Sequence, residues 1–315
     1  MGTSVHIVER LRTTFIAILV VSFALDAAAT TAPPEPKPKA ASATPKGAPK
    51  RNPVPTHKAD VRSAAFLIVD EHSADELLAK QADQAMPIAS ITKLMTALVV
   101  LEARQPLEET IKITKADRDI EPGGRSRLVV GSSLTRGELL HLALMSSENR
   151  AANALGRHYP GGIPGLLTAM NAKAKALGMK SARFTDATGL SSGNVASPRD
   201  LVKLVNATSR VPLIREYSTD SEEIVQVGQH QVEYRNTNVL VRKPDWDVVV
   251  QKTGFTNAAG QCLVMKTIIE DRPVVMVLMN SFGKYTRVAD AQRVRKWMQA
   301  TANILHAGTT AQIAD

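Results

Sequence analysis

The sequence holds one cysteine, Cys262, in 315 residues, so it can form neither an intrachain disulfide nor a cysteine-based zinc site. Its seven histidines are scattered, and none sits in an H-E-x-x-H pair. No metal and no cofactor is expected. Aromatic residues make up only 4%, too few for a broad base-stacking surface on single-stranded nucleic acid. The apolar run over residues 13–25 is too short to cross a bilayer as a helix, so no stable transmembrane span is expected. Net charge is +9, but residues 30–60 alone carry +4. The remainder is only mildly basic, which argues against nucleic acid and for an anionic surface such as a membrane or cell wall.

What the chain does contain falls into three parts. Residues 1–29 read as a signal peptide: Arg10 and Arg12 precede the apolar run, and Ala27, Ala28 and Ala29 supply small residues for cleavage. Residues 30–60 hold eight of the 17 prolines, with Lys, Ala and Thr between them, and read as a solvated, semi-extended linker. From residue 61 the pattern is that of a folded domain, reaching to about residue 310.

Within that domain, residues 64–69 and 76–80 read as a hairpin. Residues 90–104 read as a helix that is apolar nearly all round and therefore buried. Helical patterns follow over 135–145, 149–158, 163–177 and 198–209, the last with Ser197 as N-cap and Pro198 at its first position. Strand patterns return over 223–227, 231–235, 248–252, 261–269 and 273–279; the last, PVVMVLM, suits a central strand. A final helix is expected from 286 to 304. Strands at both ends with helices between imply an α+β fold. The expected assembly is a mainly antiparallel sheet lobe (61–89 and 218–310) with an inserted helical lobe (90–217) and a cleft between them.

Three short motifs occur in order: Ser90-Ile91-Thr92-Lys93 (S-x-x-K), Ser147-Glu148-Asn149 (S-x-N) and Lys252-Thr253-Gly254 (K-T-G). Each alone is weak, and the first two recur at 281–284 and 192–194. Ser90, however, opens the buried helix, where free N–H groups and the helix dipole favour a developing oxyanion. Lys93 lies on the same helical face, within reach of the Ser90 hydroxyl. A neutral lysine can take the serine proton if burial and a second cation depress its pKa; Lys252 can be that cation. Activity should then rise with pH through the depressed pKa of Lys93.

The ordered trio resembles the penicillin-recognising serine DD-peptidases and serine β-lactamases. Residues 87–98 (PIASITKLMTAL), 144–152 (LMSSENRAA), 184–190 (FTDATGL) and 251–264 (QKTGFTNAAGQCLV) all look like blocks of that family, in particular of its penicillin-binding protein 7 type, D-alanyl-D-alanine endopeptidases. The resemblance implies a β-lactamase/DD-peptidase-like fold and gives each residue a role. Ser90 would be the acylated nucleophile, Lys93 its base, and Ser147 the proton relay to the leaving amine. Asn149 would bond the substrate peptide, and Lys252 and Thr253 would hold a carboxylate. Gly254 would leave the strand edge open to an extended peptide. The backbone N–H groups of Ser90 and Phe255 would form the oxyanion hole. The implied substrates are peptidoglycan peptides in the periplasm, with β-lactams as covalent inhibitors. No E-x-x-L-N block lies between Asn149 and Lys252, so the deacylating glutamate of class A β-lactamases is missing and a penicilloyl adduct should persist. The sequence ends soon after the last helix, where related carboxypeptidases continue into a β-rich domain; this favours cleavage of D-Ala–diaminopimelate cross-links.

Alternatives are a D-alanyl-D-alanine carboxypeptidase, a non-catalytic penicillin-binding sensor or scaffold, and an α/β-hydrolase. The last would use Ser191 in Gly189-Leu190-Ser191-Ser192-Gly193 (G-x-S-x-G), but that motif needs a strand directly before it and a helix directly after. Cys262 reads as a small core residue, and His141 and His158 as structural histidines.

Overall fold

A computed structural model describes residues 59–117 and 126–313, with side chains as far as residue 302. They belong to one unit of the chain, Asn52–Asp315; the signal-peptide expectation over 1–29 and nearly all of the 30–60 linker lie outside the described residues.

The strands are β1 (Ala65–Asp70), β2 (Glu76–Lys80), β3 (Met86–Pro87), β4 (Thr110–Lys112), β5 (Ser133–Thr135), β6 (Val195–Ala196), β7 (Glu222–Val227), β8 (His230–Arg235), β9 (Asp247–Thr256), β10 (Gly260–Ile269) and β11 (Arg272–Ser281). The helices are α1 (Thr92–Glu102), α2 (Arg136–Met145), α3 (Asn149–Arg157), α4 (Gly162–Ala176), α5 (Pro198–Thr208), α6 (Pro212–Thr219) and α7 (Thr286–Ile313). Five strands form one antiparallel sheet in the order β2-β1-β11-β10-β9. The architecture is thus α+β with a sheet assembled from both ends of the sequence, as the strand pattern implied.

The sheet order explains the run PVVMVLM. β11 is the central strand and is covered on both faces, so it has no polar face to show. Val275, Val277 and Met279 enter the core shared with helices α1–α6. Val274, Met276 and Leu278 enter a second core under α7, with Ala291, Val294 and Met298. Each such side chain contributes about 1.5–3 kcal/mol through burial. Asp290 of α7 ties the sheet to its own start: its carboxylate accepts from Arg62 N (2.9 Å), Ser63 N (2.8 Å) and Ser63 Oγ (2.6 Å).

The helix signals act as expected. Thr135 caps α2 in a reciprocal capping box with Glu138. Ser197 caps α5 through Asp200 N, with Pro198 in the first turn. Two features differ from the sequence pattern. The β7–β8 hairpin forms its own two-stranded sheet, with Val225, Val227 and Tyr234 in the helical core, instead of extending the main sheet. And α6, eight residues long, lies at the end of the expected helical lobe, had no helix pattern of its own in the sequence, and packs against β9.

Candidate active site

Ser90 does not begin an α-helix. It is the middle residue of a 3-10 turn, Ala89–Ile91, which runs into α1 at Thr92. Ala89 has φ +48, a left-handed conformation that costs a residue with a Cβ about 1–2 kcal/mol. No glycine marks that turn, so the sequence pattern started the helix two residues too early. The strain is held from outside: Asn194 O accepts from Ile88 N (3.1 Å), and Thr92 Oγ1 donates to Ala89 O (2.8 Å).

Lys93 follows in the first turn of α1 and is fully buried. Its Nζ donates to Ser90 Oγ (2.9 Å), Asn149 Oδ1 (2.7 Å) and Thr188 O (2.8 Å). Two of these partners, a side-chain carbonyl and a backbone carbonyl, can only accept. The hydroxyl alone can also donate. When Lys93 is neutral, its two protons go to the two carbonyls and its lone pair faces the Ser90 proton. The geometry therefore allows proton transfer between Ser90 and Lys93 without rearrangement.

Thr188 was not singled out by the sequence, because a backbone carbonyl carries no side-chain signature. Its loop is built by Asp186, whose carboxylate accepts from Thr188 N (2.6 Å), Gly189 N (2.5 Å) and Ser191 N (2.6 Å). Gly189 has φ +86, and a Cβ there would lie 1.9 Å from Ala89 O, so only glycine lets this loop meet the Ser90 turn. The G-x-S-x-G pattern is thus a buttress for Ser90. Ser191 itself is exposed, and its Oγ accepts from Gly193 N (3.1 Å) and Thr185 Oγ1 (3.0 Å), with no strand-to-helix elbow.

The S-x-N residues join α2 to α3. Ser147 has φ +63, and among the described residues its hydroxyl has no hydrogen-bond partner; it is bonded to neither Ser90 nor Lys93. Glu148 accepts from Arg150 N (3.3 Å) and caps α3. Asn149 gives its oxygen to Lys93, while its amide nitrogen has no partner among the described residues.

The K-T-G residues lie on β9, the edge of the main sheet. A Cβ on Gly254 would sit 3.0 Å from Ile88 O, 3.1 Å from Ala89 Cβ and 3.2 Å from Ser90 N. Glycine thus lets the strand pack closely against the Ser90 turn, where a Cβ would push its neighbours back by a few tenths of an ångström. Lys252 is fully buried, and its Nζ donates to Thr253 O (3.1 Å). Burial, then repulsion by Lys93, then by Arg287, pushes its pKa well below the usual lysine value. The two lysine charges therefore disfavour the doubly protonated state. Among the described residues the amine makes this one hydrogen bond, and an anion placed beside it would favour its charged form. Thr253 Oγ1 lies 2.5 Å from Thr237 Oγ1. Phe255, next along β9, is 55% exposed. Arg287 of α7 donates to Gly254 O (3.0 Å) and to Gln261 Oε1, fixing the end of the strand.

The other singled-out residues stay outside this cluster. Cys262 is buried, with its thiol pushed up to about 11 by burial. His141 stacks on Tyr217 with its Nε2 2.9 Å from Asp220 Oδ2. Among the described residues there is no group of side chains able to hold a metal ion, and no helix is long and apolar enough to cross a membrane.

Comparison with known proteins gives the family and the fold. Residues 52–283 match the peptidase S11 family, described as D-alanyl-D-alanine carboxypeptidase. The chain is 47% identical over 242 residues to a D-alanyl-D-alanine endopeptidase of Escherichia coli, covering 76% of this chain and 78% of that one. It is 46% identical to a D-alanyl-D-alanine endopeptidase of Pseudomonas aeruginosa, with the same coverage. Among solved structures, a mutant of a Streptomyces DD-transpeptidase superposes with a TM-score of 0.71 at 25% identity, covering 77% of this chain and all of the other. A D-alanyl-D-alanine carboxypeptidase from Mycobacterium tuberculosis gives 0.69 at 26%, covering 80% and 95%. The fold is that of the DD-peptidases, and the chain belongs to peptidase family S11 as a serine-type D-alanyl-D-alanine peptidase.

Proposed function

We propose that this peptidase is an endopeptidase of peptidoglycan that cuts D-Ala–diaminopimelate cross-links in the periplasm. Ser90 Oγ attacks the D-Ala carbonyl and passes its proton to neutral Lys93. The oxyanion is held by the N–H groups of Ser90 and Phe255. Ser147 relays that proton, giving its own to the leaving amine and taking the one held by Lys93, and water then hydrolyses the acyl-enzyme. Asn149 presents its amide nitrogen to the substrate peptide. Lys252 and Thr253 hold the carboxylate beside the scissile bond, in peptide and β-lactam alike, and Gly254 brings their strand against Ser90. Residues 1–29 direct export, residues 30–60 tether the domain with their positive charge, and the folded domain follows.

The observation that carries this reading is the Lys93 amine, buried and set between one hydroxyl and two carbonyl acceptors. The endopeptidase preference is supported by two relatives of that name at 46–47% identity. Product analysis on purified cross-linked and monomeric muropeptides tests it. Conversion of dimers to monomers is expected. Release of terminal D-Ala from pentapeptide monomers without dimer cleavage makes the protein a carboxypeptidase. Penicillin acylation with no cleavage of either makes it a sensor.

A further inference from the structure

Between β8 and the 3-10 turn Val239–Arg242 lies Asn236-Thr237-Asn238, which belongs to none of the three motifs. Its outer residues are buried and anchored. Asn236 Nδ2 donates to Ser218 O (2.9 Å) and Asp220 O (2.7 Å), at the end of α6. Asn236 Oδ1 accepts from Asn238 N (2.9 Å) and from Gln251 Nε2 (3.0 Å), the residue before Lys252. Asn238 Oδ1 caps the following turn through Leu240 N (3.1 Å). Thr237, held between them, is exposed and makes two bonds that link the motif-bearing elements. Its N–H donates to Met145 O (3.2 Å), two residues before Ser147. Its hydroxyl lies 2.5 Å from that of Thr253.

Two hydroxyls in contact share one proton between them. One donates inward and the other keeps its proton for an outside acceptor. A carboxylate can only accept. Once it sits beside Lys252, the favoured chain runs from the Thr237 O–H to Thr253 Oγ1, and from the Thr253 O–H to the carboxylate. We propose that Thr237 is a positioning and specificity-determining residue: its hydroxyl orients that of Thr253 as a donor, so that the site selects acyl donors carrying a carboxylate. This rests on Thr253 being the carboxylate-binding hydroxyl of the proposed function.

The variants Thr237→Val and Thr237→Ser separate the hydroxyl from the backbone tether, because both keep the N–H that bonds Met145. The readout is the second-order acylation rate with benzylpenicillin and with its methyl ester, in which the carboxylate is masked. Thr237→Val should acylate up to about ten-fold more slowly than wild type with the free acid, the size of the one neutral hydrogen bond it removes. With the ester the loss should stay within about two-fold. Thr237→Ser should restore the free-acid rate. Equal losses with acid and ester, or no loss, overturn this proposal alone. A wild-type protein that benzylpenicillin does not acylate overturns the proposed function, and this inference with it.

Discussion

The contact between the loop after α4 and the Ser90 turn can be tested by adding one carbon. At Gly189 a Cβ would lie 1.9 Å from Ala89 O, 2.3 Å from Ala89 C and 2.9 Å from Ser90 N, with φ at +86. At Gly131 φ is +101, yet a Cβ would meet nothing within 4 Å. Gly131→Ala therefore measures the left-handed strain by itself, about 1–2 kcal/mol. Gly189→Ala adds a backbone overlap of roughly 1 Å relative to the closest contact a Cβ tolerates, and overpacking of that kind costs about 1–3 kcal/mol more. For a domain of this size, at about 2–4 °C per kcal/mol, the two variants should differ by about 2–12 °C in melting temperature. The clash falls on the residue before Ser90 and on the one after Thr188, the acceptor for Lys93. Shifts near 1 Å at a reacting group cost about 100-fold in rate. Benzylpenicillin acylation should thus collapse in Gly189→Ala and stay near wild type in Gly131→Ala. Equal melting temperatures and equal acylation rates for the two variants would refute the packing argument.

Two further perturbations address the charges. Lys93→Arg keeps a cation but cannot provide a neutral base; acylation should fall by about 10²–10⁴-fold, and a rate within ten-fold of wild type would remove Lys93 from that role. The folded-state pKa of Lys252 is lowered, so the unfolded chain binds more protons there than the native one. The native state should be most stable above the unfolded lysine pKa, losing stability as pH falls through the lowered value. Denaturation midpoints measured over a pH series should show this slope in wild type and lose it in Lys252→Met, and parallel curves for the two would contradict the burial argument.

The parts legible from sequence were those written in side-chain periodicity or in motif triplets. β11 was visible because a strand covered on both faces must be apolar throughout, and α5 because Ser197 and Pro198 announce its start. Ser90, Lys93, Asn149 and the K-T-G residues stood out by order, although what brings them together did not. The Ser90 turn looks like helix because its left-handed residue is Ala89, held by neighbours distant in sequence. Thr188 acts through its carbonyl, and Thr237 through a contact 16 positions away, so neither leaves a local pattern. Strands of two or three residues, such as β3 and β6, are too short to show alternation.

The most direct measurement of the account is the site of the covalent adduct. After brief exposure of the full chain to benzylpenicillin, intact-protein and peptide mass spectrometry should find one penicilloyl group, on the peptide containing Ser90, and none in Ser90→Ala. An adduct on Ser147 or Ser191, or one that persists in Ser90→Ala, would contradict it.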